Sequence, residues 1–158
     1  MQLRLARRGG SDRQGATILE TAFVLPVMFV LMFGLMEFAR AFMTLQMINA
    51  AARQGAYMCI LDGVSNAEAE AAMRNILASG HIDDGVIIEI LDGTPVDETE
   101  PGGDPPSTDD LSPLNLPDAI PRQLLIVRIQ VPFDRVALIT PWWLGDATIS
   151  GQMAMRHE

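Results

Sequence analysis

An uncharged run of fifteen residues, AFVLPVMFVLMFGLM at positions 22–36, constrains this chain more than any other feature. A helix needs about 20 residues at 1.5 Å each to cross a hydrocarbon core of roughly 30 Å. Extending the run back to Ala16 gives about 31 Å of helix and brings Glu20 inside it. Pro26 is tolerated better in a membrane helix than in a soluble one. The sequence therefore predicts a transmembrane helix over residues 16–36, containing a carboxylate that is expensive to bury unpaired.

The charges around this segment predict its orientation. Four basic residues precede the apolar run, against the single acid Asp12: Arg4, Arg7, Arg8 and Arg13. Positively charged flanks stay in the cytoplasm. Residues 1–15 are therefore predicted to be a basic cytoplasmic leader, and the chain beyond the span is predicted to be periplasmic or otherwise extracytoplasmic.

The middle of the chain is strongly acidic. Residues 62–121 carry fourteen Asp and Glu against one basic residue, Arg74, and account for most of the net charge of −9. A polyanion would be repelled by such a surface, so we expect no nucleic acid partner for this part.

The start of the apolar segment is compatible with three kinds of processing. A secretory signal peptide would be cut at the small-residue site Ala39-Arg40-Ala41. A plain signal anchor would stay uncut. The residues 15–20, GATILE, instead resemble a type IV prepilin cleavage site. Cutting between Gly15 and Ala16 would leave an ammonium about 6 Å along the helix from Glu20, where the two charges could pair.

The helical pattern continues beyond the predicted membrane span, as a stalk over residues 37–61. Glu37 is placed at the far interface with Arg40 one turn later, where the two could pair. Small residues then permit a close approach of another helix, either within the same domain or in an assembly. The candidate stalk-packing residues are Asn49, Ala50, Ala51, Arg53 and Gly55. The candidate packing residues within the transmembrane span are Pro26 and Gly34. Asp62-Gly63 predicts the end of the helix.

The remaining residues, 62–158, predict a small acidic α+β domain. A capping box formed by Ser65 and Glu68 begins a short helix that ends at Gly80. Strands are predicted over residues 85–91, 123–133 and 147–158, and they would form an antiparallel sheet. Residues 93–121 are rich in proline and acid, and predict a disordered loop.

No pattern in the sequence predicts catalysis, a cofactor or a metal site. The single cysteine, Cys59, is most simply a small buried hydrophobe, although a reactive or bridging thiol is the alternative. His81 and His157 lack ligand-type neighbours and are interpreted as ordinary surface residues. Trp142 and Trp143 favour a core position, with the membrane interface as the alternative. We therefore expect a protein that is not an enzyme.

Taken together, residues 13–58 resemble the N-terminal domain of TadE/TadG-like proteins of the tight-adherence (Flp-type) pilus assembly system. The features that carry the resemblance are Gly15-Ala16 before Glu20, Leu25-Pro26, Phe33-Gly34, Glu37-Phe38 with Arg40, and Asn49-Ala50-Ala51 with Arg53 and Gly55. Processed members commonly have an aromatic residue after the glutamate, where this chain has Thr21.

The resemblance implies a pilin-like architecture and a pseudopilin or minor-pilin role in the bacterial inner membrane. The implied partners are membrane lipids, a prepilin peptidase, other pilins or pseudopilins, and inner-membrane assembly proteins. The alternative hypothesis is an uncut, single-pass membrane-anchored binding module with an acidic extracytoplasmic domain.

Overall fold

The computed structural model describes residues 11–82, 84–100, 102–138 and 140–157, with side chains described from Gly15 onward. Most of the predicted basic leader, including Arg4, Arg7 and Arg8, lies outside the described residues, as does Glu158 at the end of the predicted last strand. The described chain is α+β, as the sequence predicts: a long helix, a short helix and a small antiparallel sheet.

Helix α1 comprises Ser11–Cys59 and includes Pro26. It begins five residues before the predicted start at Ala16 and ends three residues before the predicted stop at Asp62. Just beyond it, Gly63 adopts a φ of 82°, a left-handed conformation that glycine enters without a Cβ penalty. By its internal contacts the chain divides into two units, one up to Met36 and one from Glu37 onward.

The first unit is an apolar stretch of α1 whose side chains are exposed all round. Exposure reaches 70% at Ile18, 72% at Phe23 and 66% at Val27. Thr21 satisfies its hydroxyl within the helix by donating to the Thr17 carbonyl oxygen at 2.9 Å. An apolar helix surface with no polar face is typical of a membrane span rather than of a soluble helix.

The second unit begins with the remainder of α1 and continues into α2, Asn66–Ser79. Ser65 accepts from the backbone N–H of Glu68, and the Glu68 carboxylate accepts from the backbone N–H of Ser65, so the predicted capping box is present. Gly80 caps the carboxyl end of α2. Between these caps, one face of α2 is buried through Ala69, Met73 and Leu77.

The described part of the chain contains a three-stranded antiparallel sheet of order β1-β2-β3. Its strands are β1, Ile87–Asp92; β2, Leu124–Pro132; and β3, Thr148–Arg156. The register aligns Ile90 of β1 and Met153 of β3 with Val127 of the central strand. Short helices α3, Thr94–Asp97, and α4, Phe133–Val136, follow β1 and β2.

The main core lies between one face of the sheet and the two helices of the second unit. The alternating residues of β2 that the sequence predicts to face a core are fully buried: Leu125, Val127, Ile129 and Val131. They belong to one cluster with the buried face of α2 and with Ile48, Ala51, Ala52, Ala56 and Cys59 of α1. The period of three and four along α1 therefore reflects packing on its own domain.

The structure differs from the predicted disordered loop over residues 93–121. Besides α3, this segment forms 3-10 turns at Thr108–Asp110 and Leu116–Asp118, and its residues Leu111 and Leu116 are buried. The side chain of Asn66 fixes it further, by donating to the Leu114 carbonyl oxygen and accepting from the Leu116 N–H. Isolated leucines separated by prolines produce no periodic pattern, so composition alone does not reveal this order.

The same segment covers the second face of the sheet. Leu111 packs with Leu91 and Ile126 in a separate small cluster. Beside it, Arg128 is only 8% exposed; it binds the carboxylate of Glu89 at 2.8 Å and also that of Asp109. A buried guanidinium needs such partners because desolvation of an unpaired charge is costly.

Gly151 of β3 provides a test of how closely α1 approaches the sheet. A Cβ added there would lie 2.7 Å from Cγ2 of buried Ile48 and 2.6 Å from Oδ1 of Asn49. We expect Gly151→Ala to lower the free energy of unfolding by about 1–3 kcal/mol, the usual range for overpacking. Denaturant unfolding of the full chain in detergent micelles measures it, with the exposed neighbour Ser150→Ala as the control. Equal stability of the two variants would contradict this close packing.

Candidate functional site

The most distinctive polar constellation in the second unit surrounds Glu37, the first residue after the uncharged run. Its carboxylate accepts three consecutive backbone N–H groups from residues 141–145, here called the tryptophan loop. The donors are Trp142 at 3.3 Å, Trp143 at 3.1 Å and Leu144 at 2.7 Å. One side chain of α1 thereby holds the backbone of a distant loop.

The sequence of the loop suits this arrangement. Pro141 has no N–H and fixes its own φ, and the three residues that follow supply their N–H groups in succession. Successive N–H groups in a turn form a concave, positively polarised surface that binds anions. Partial desolvation raises the pKa of Glu37, but the hydrogen bonds from Leu144, Trp142 and Trp143 outweigh it, so the pKa lies below the usual glutamate value. The carboxylate is therefore charged at neutral pH.

Arg40, one turn along α1, is also bound to backbone. Its Nε donates to the Val136 carbonyl oxygen at 2.8 Å, and its Nη2 to the Gly80 carbonyl oxygen at 3.3 Å. The sequence predicted a pair between Glu37 and Arg40, and within the part of the chain that the structure describes no ion pair joins them. Each charge is instead paired with backbone groups of other elements. Helix spacing alone predicts only partners on the same helix, so it could not reveal these contacts.

The indole rings of the tryptophan loop are exposed, so the expected core position was wrong. Trp142 is 73% and Trp143 50% exposed, with ring centroids 6.0 Å apart at an angle of 48°. The side chains that fill the core from this connection are Phe133 and Val136, which α4 buries. Their exposure is compatible with the alternative position at a membrane interface.

The residues predicted for prepilin-type processing lie along exposed helix. Gly15 is inside α1, and a Cβ added to it would meet no heavy atom of the described residues within 4 Å. Ala16 and Glu20 are exposed one turn apart. Glu20 has no hydrogen-bond or ion-pair partner among the described residues. Pro26 is likewise exposed, whereas Gly34 is half-buried.

The predicted stalk-packing residues divide between two faces of α1. Ala51 and Gly55 face the core, and a Cβ added at Gly55 would collide with Sδ of Met73. Ala50 and Arg53 are exposed on the other face, and Asn49 is exposed at its edge, where its Oδ1 also lies close to Gly151 of β3. There they line an open depression of about 410 Å³ together with Gln46, Gln54 and Tyr57. The core-facing residues pack within the domain, and the outward residues are available to a partner.

The single cysteine and the two histidines are the side chains that the sequence singles out for their chemical reactivity. Cys59 is buried, as predicted, and desolvation raises the pKa of its thiol to about 11, which keeps it protonated at neutral pH. Within the described residues no three His, Cys, Asp or Glu side chains are grouped as metal ligands. His81 is exposed as expected, but His157 is only 8% exposed, so its interpretation as a surface residue was wrong.

Comparison with known families accounts for the N-terminal part of this arrangement. Residues 15–56 match the family model described as TadE-like protein. The segment is TadE-like. The match includes Gly15, Glu20, Glu37, Arg40 and Gly55, and ends before the elements that form the sheet. No curated protein and no solved structure matches the chain.

The TadE-like match is confined to α1, of which it covers residues 15–56. It also agrees with the length and composition of α1. In the described chain one helix, Gly15–Cys59, is long and apolar enough to span a membrane. The tryptophan loop lies outside the matched segment, so the partner of Glu37 is a feature of this chain that the family match does not describe.

The low pKa of Glu37 predicts a pH-dependent contribution to stability. The folded-state pKa is below the usual 4.5, so near that pH the folded protein binds fewer protons than the unfolded chain. The contribution is complete above pH 4.5 and is lost as the pH falls through the folded-state pKa. We expect wild type to be more stable than Glu37→Gln at pH 7, with the difference shrinking below pH 4.5.

Denaturant unfolding of both proteins in detergent micelles at several pH values measures this difference. Asp146→Asn serves as the control, since Asp146 is exposed close to the same loop. A wild-type advantage over Glu37→Gln that stays constant across this pH range would contradict the role of the charged carboxylate.

Proposed function

We propose that this protein is a membrane-anchored, pseudopilin-like structural component of a Tad pilus assembly system. In this proposal residues 16–36 span the bacterial inner membrane, with residues 1–15 in the cytoplasm. Residues 37–61 begin the extracytoplasmic part as a stalk, and residues 62–158 complete it. The observation that carries the proposal is the exposed apolar surface of α1 within a TadE-like segment.

The exposed surface of the first unit favours a lipid environment. Large apolar side chains point outward along more than four turns of helix, including Leu19, Phe23, Val27, Leu31 and Leu35, each more than half exposed. Transferring one such side chain out of water is worth about 1.5–3 kcal/mol. A bilayer covers all faces of a helix at once, and the internal hydrogen bonds of the helix satisfy its backbone there.

Glu20 is the one charge inside the proposed span, and processing supplies a reason for it. Cleavage by a prepilin peptidase after Gly15 would place a new ammonium on Ala16, about one helical turn from the Glu20 carboxylate. That ammonium, from the same or a neighbouring subunit, would neutralise a carboxylate that has no partner among the described side chains. Pairing between subunits would favour assembly over a free monomer in the membrane.

The outward face of the stalk is the proposed contact with other pilins, pseudopilins or assembly proteins. It combines the small residue Ala50 with the polar side chains of Asn49 and Arg53, and Tyr57 is 51% exposed at its end. Small residues allow a second helix to approach closely, while the polar groups can form hydrogen bonds across the contact. The inward face is committed to the domain core and takes no part.

An uncut, membrane-anchored binding module is the second candidate. The observation that favours it is the continuity of α1, which runs through Gly15 without interruption although a scissile site is expected to be locally flexible. This candidate shares the membrane span but has no role for Glu20 in assembly.

Substitution of Glu20 separates the two candidates. If Glu20 pairs in the assembly, Glu20→Ala should still insert in the membrane but should reduce incorporation into pili several-fold, because the pairing partner of the ammonium is lost. Comparison of sheared pili with washed membranes by immunoblotting measures both quantities. Thr21→Ala, an exposed neighbour on the same helix, is the matched control. Wild-type piliation in the Glu20→Ala strain would rule out this role.

A further inference from the structure

We propose that the tryptophan loop is a second membrane contact, in which Trp142 and Trp143 insert into the headgroup–acyl boundary of the bilayer beside the end of the span. This inference rests on the proposed membrane anchoring of residues 16–36. It adds a lipid-binding surface that lies outside the TadE-like segment.

The chemistry of the loop fits a lipid interface. Trp142 is 73% and Trp143 50% exposed, and Leu138 on the same connection is 67% exposed. The sequence from Val136 to Gly145 contains no charged residue, so no ionised side chain opposes partial insertion. Tryptophan prefers the membrane–water interface because its ring is apolar while its N–H remains able to bond to water or headgroups.

The position of the loop follows from its attachment to Glu37. Glu37 comes directly after the uncharged run in the chain, so a span over residues 16–36 places its carboxylate at headgroup depth. Three consecutive N–H groups of the loop lie within 3.3 Å of that carboxylate. The backbone carrying both indoles is therefore held at the first charged residue outside the hydrocarbon core.

The attachment also keeps the loop in place before it meets lipid. Arg40 holds the Val136 carbonyl oxygen at 2.8 Å, so the connection is fastened to α1 at both of its ends. A loop already fixed in its bound position loses less conformational entropy when its side chains insert. Glu37 meanwhile remains satisfied by backbone groups rather than by lipid, which makes a carboxylate at this depth less costly.

A protein partner is the other possible cover for two exposed tryptophans. Lipid is favoured because the loop is held beside the residue that ends the apolar run, so a protein partner would have to bind at headgroup depth. The outward stalk face, Asn49, Ala50 and Arg53, lies three or more turns farther along α1 and leaves this position free for lipid.

Intrinsic fluorescence tests the proposal directly, because Trp142 and Trp143 are the two tryptophans of the chain. The full chain is reconstituted in vesicles of phosphatidylcholine and phosphatidylglycerol, with and without bromines on acyl carbons near the headgroup. We expect emission shifted to shorter wavelength than in free tryptophan, a loss of intensity in brominated vesicles, and weak quenching by aqueous acrylamide. Emission like that of free tryptophan, quenched by acrylamide and unaffected by bromine, would overturn the proposal.

Carbonate washing of the same vesicles separates this inference from the proposed anchoring. Protein that resists carbonate but shows water-exposed tryptophans keeps the anchor and overturns the lipid contact. Protein released by carbonate contradicts the anchor itself.

Glu37→Ala tests the attachment, and Asp146→Asn is its control. We expect Glu37→Ala to remain in carbonate-washed vesicles but to lose part of the bromine quenching, since the loop is released from α1. Circular dichroism verifies that the variant is folded. Bromine quenching equal to wild type in folded Glu37→Ala would show that Glu37 does not position the loop.

Discussion

The structure depends on one constraint: the apolar surface of α1 before Glu37 must be covered by something other than water. Side chains such as Phe23 and Leu35 are exposed on every side of the helix, and a polar face is absent from this stretch of the described chain. Soluble helices avoid this by burying one stripe and exposing another. A bilayer would cover the helix on all sides. Every other part of the proposed function therefore depends on membrane insertion.

The same helix changes role at Glu37. Before it, the exposed surface of the helix is apolar apart from Glu20 and a few small polar residues. After it, one face packs into a domain core through Ile48, Ala52 and Cys59. The transition is marked by two charges whose partners are backbone groups, Glu37 on the tryptophan loop and Arg40 on the carbonyl oxygens of Gly80 and Val136. Charge-assisted hydrogen bonds of this kind are stronger than neutral ones, so this end of the domain is held to α1 by directed polar contacts rather than by packing alone.

Much of the architecture follows from local sequence signals. The capping box at Ser65, the alternation in β2 and the long helical period of α1 each predict an element that the structure contains, because each depends on residues close together in the chain. The order of residues 93–121 depends on single contacts across the fold, such as Asn66 with Leu114 and Leu116, and composition alone suggested disorder.

The candidate site was predictable to a similar extent. The processing role of Gly15, Ala16 and Glu20 stays a prediction that rests on their spacing at the start of the apolar run, within the segment that the family match covers. The partner of Glu37 was not predictable, because residues 142–144 are more than one hundred positions away and bind through backbone N–H groups that carry no side-chain signature.

The intact mass of the protein extracted from native membranes tests the central claim most directly. If the protein is a processed, pseudopilin-like subunit, the mass should correspond to a chain that begins at Ala16 and has lost residues 1–15. A full-length mass would contradict processing and leave the uncut anchor. Loss of residues 1–41 would contradict the membrane span itself, because it would remove the apolar run together with Glu37 and Arg40.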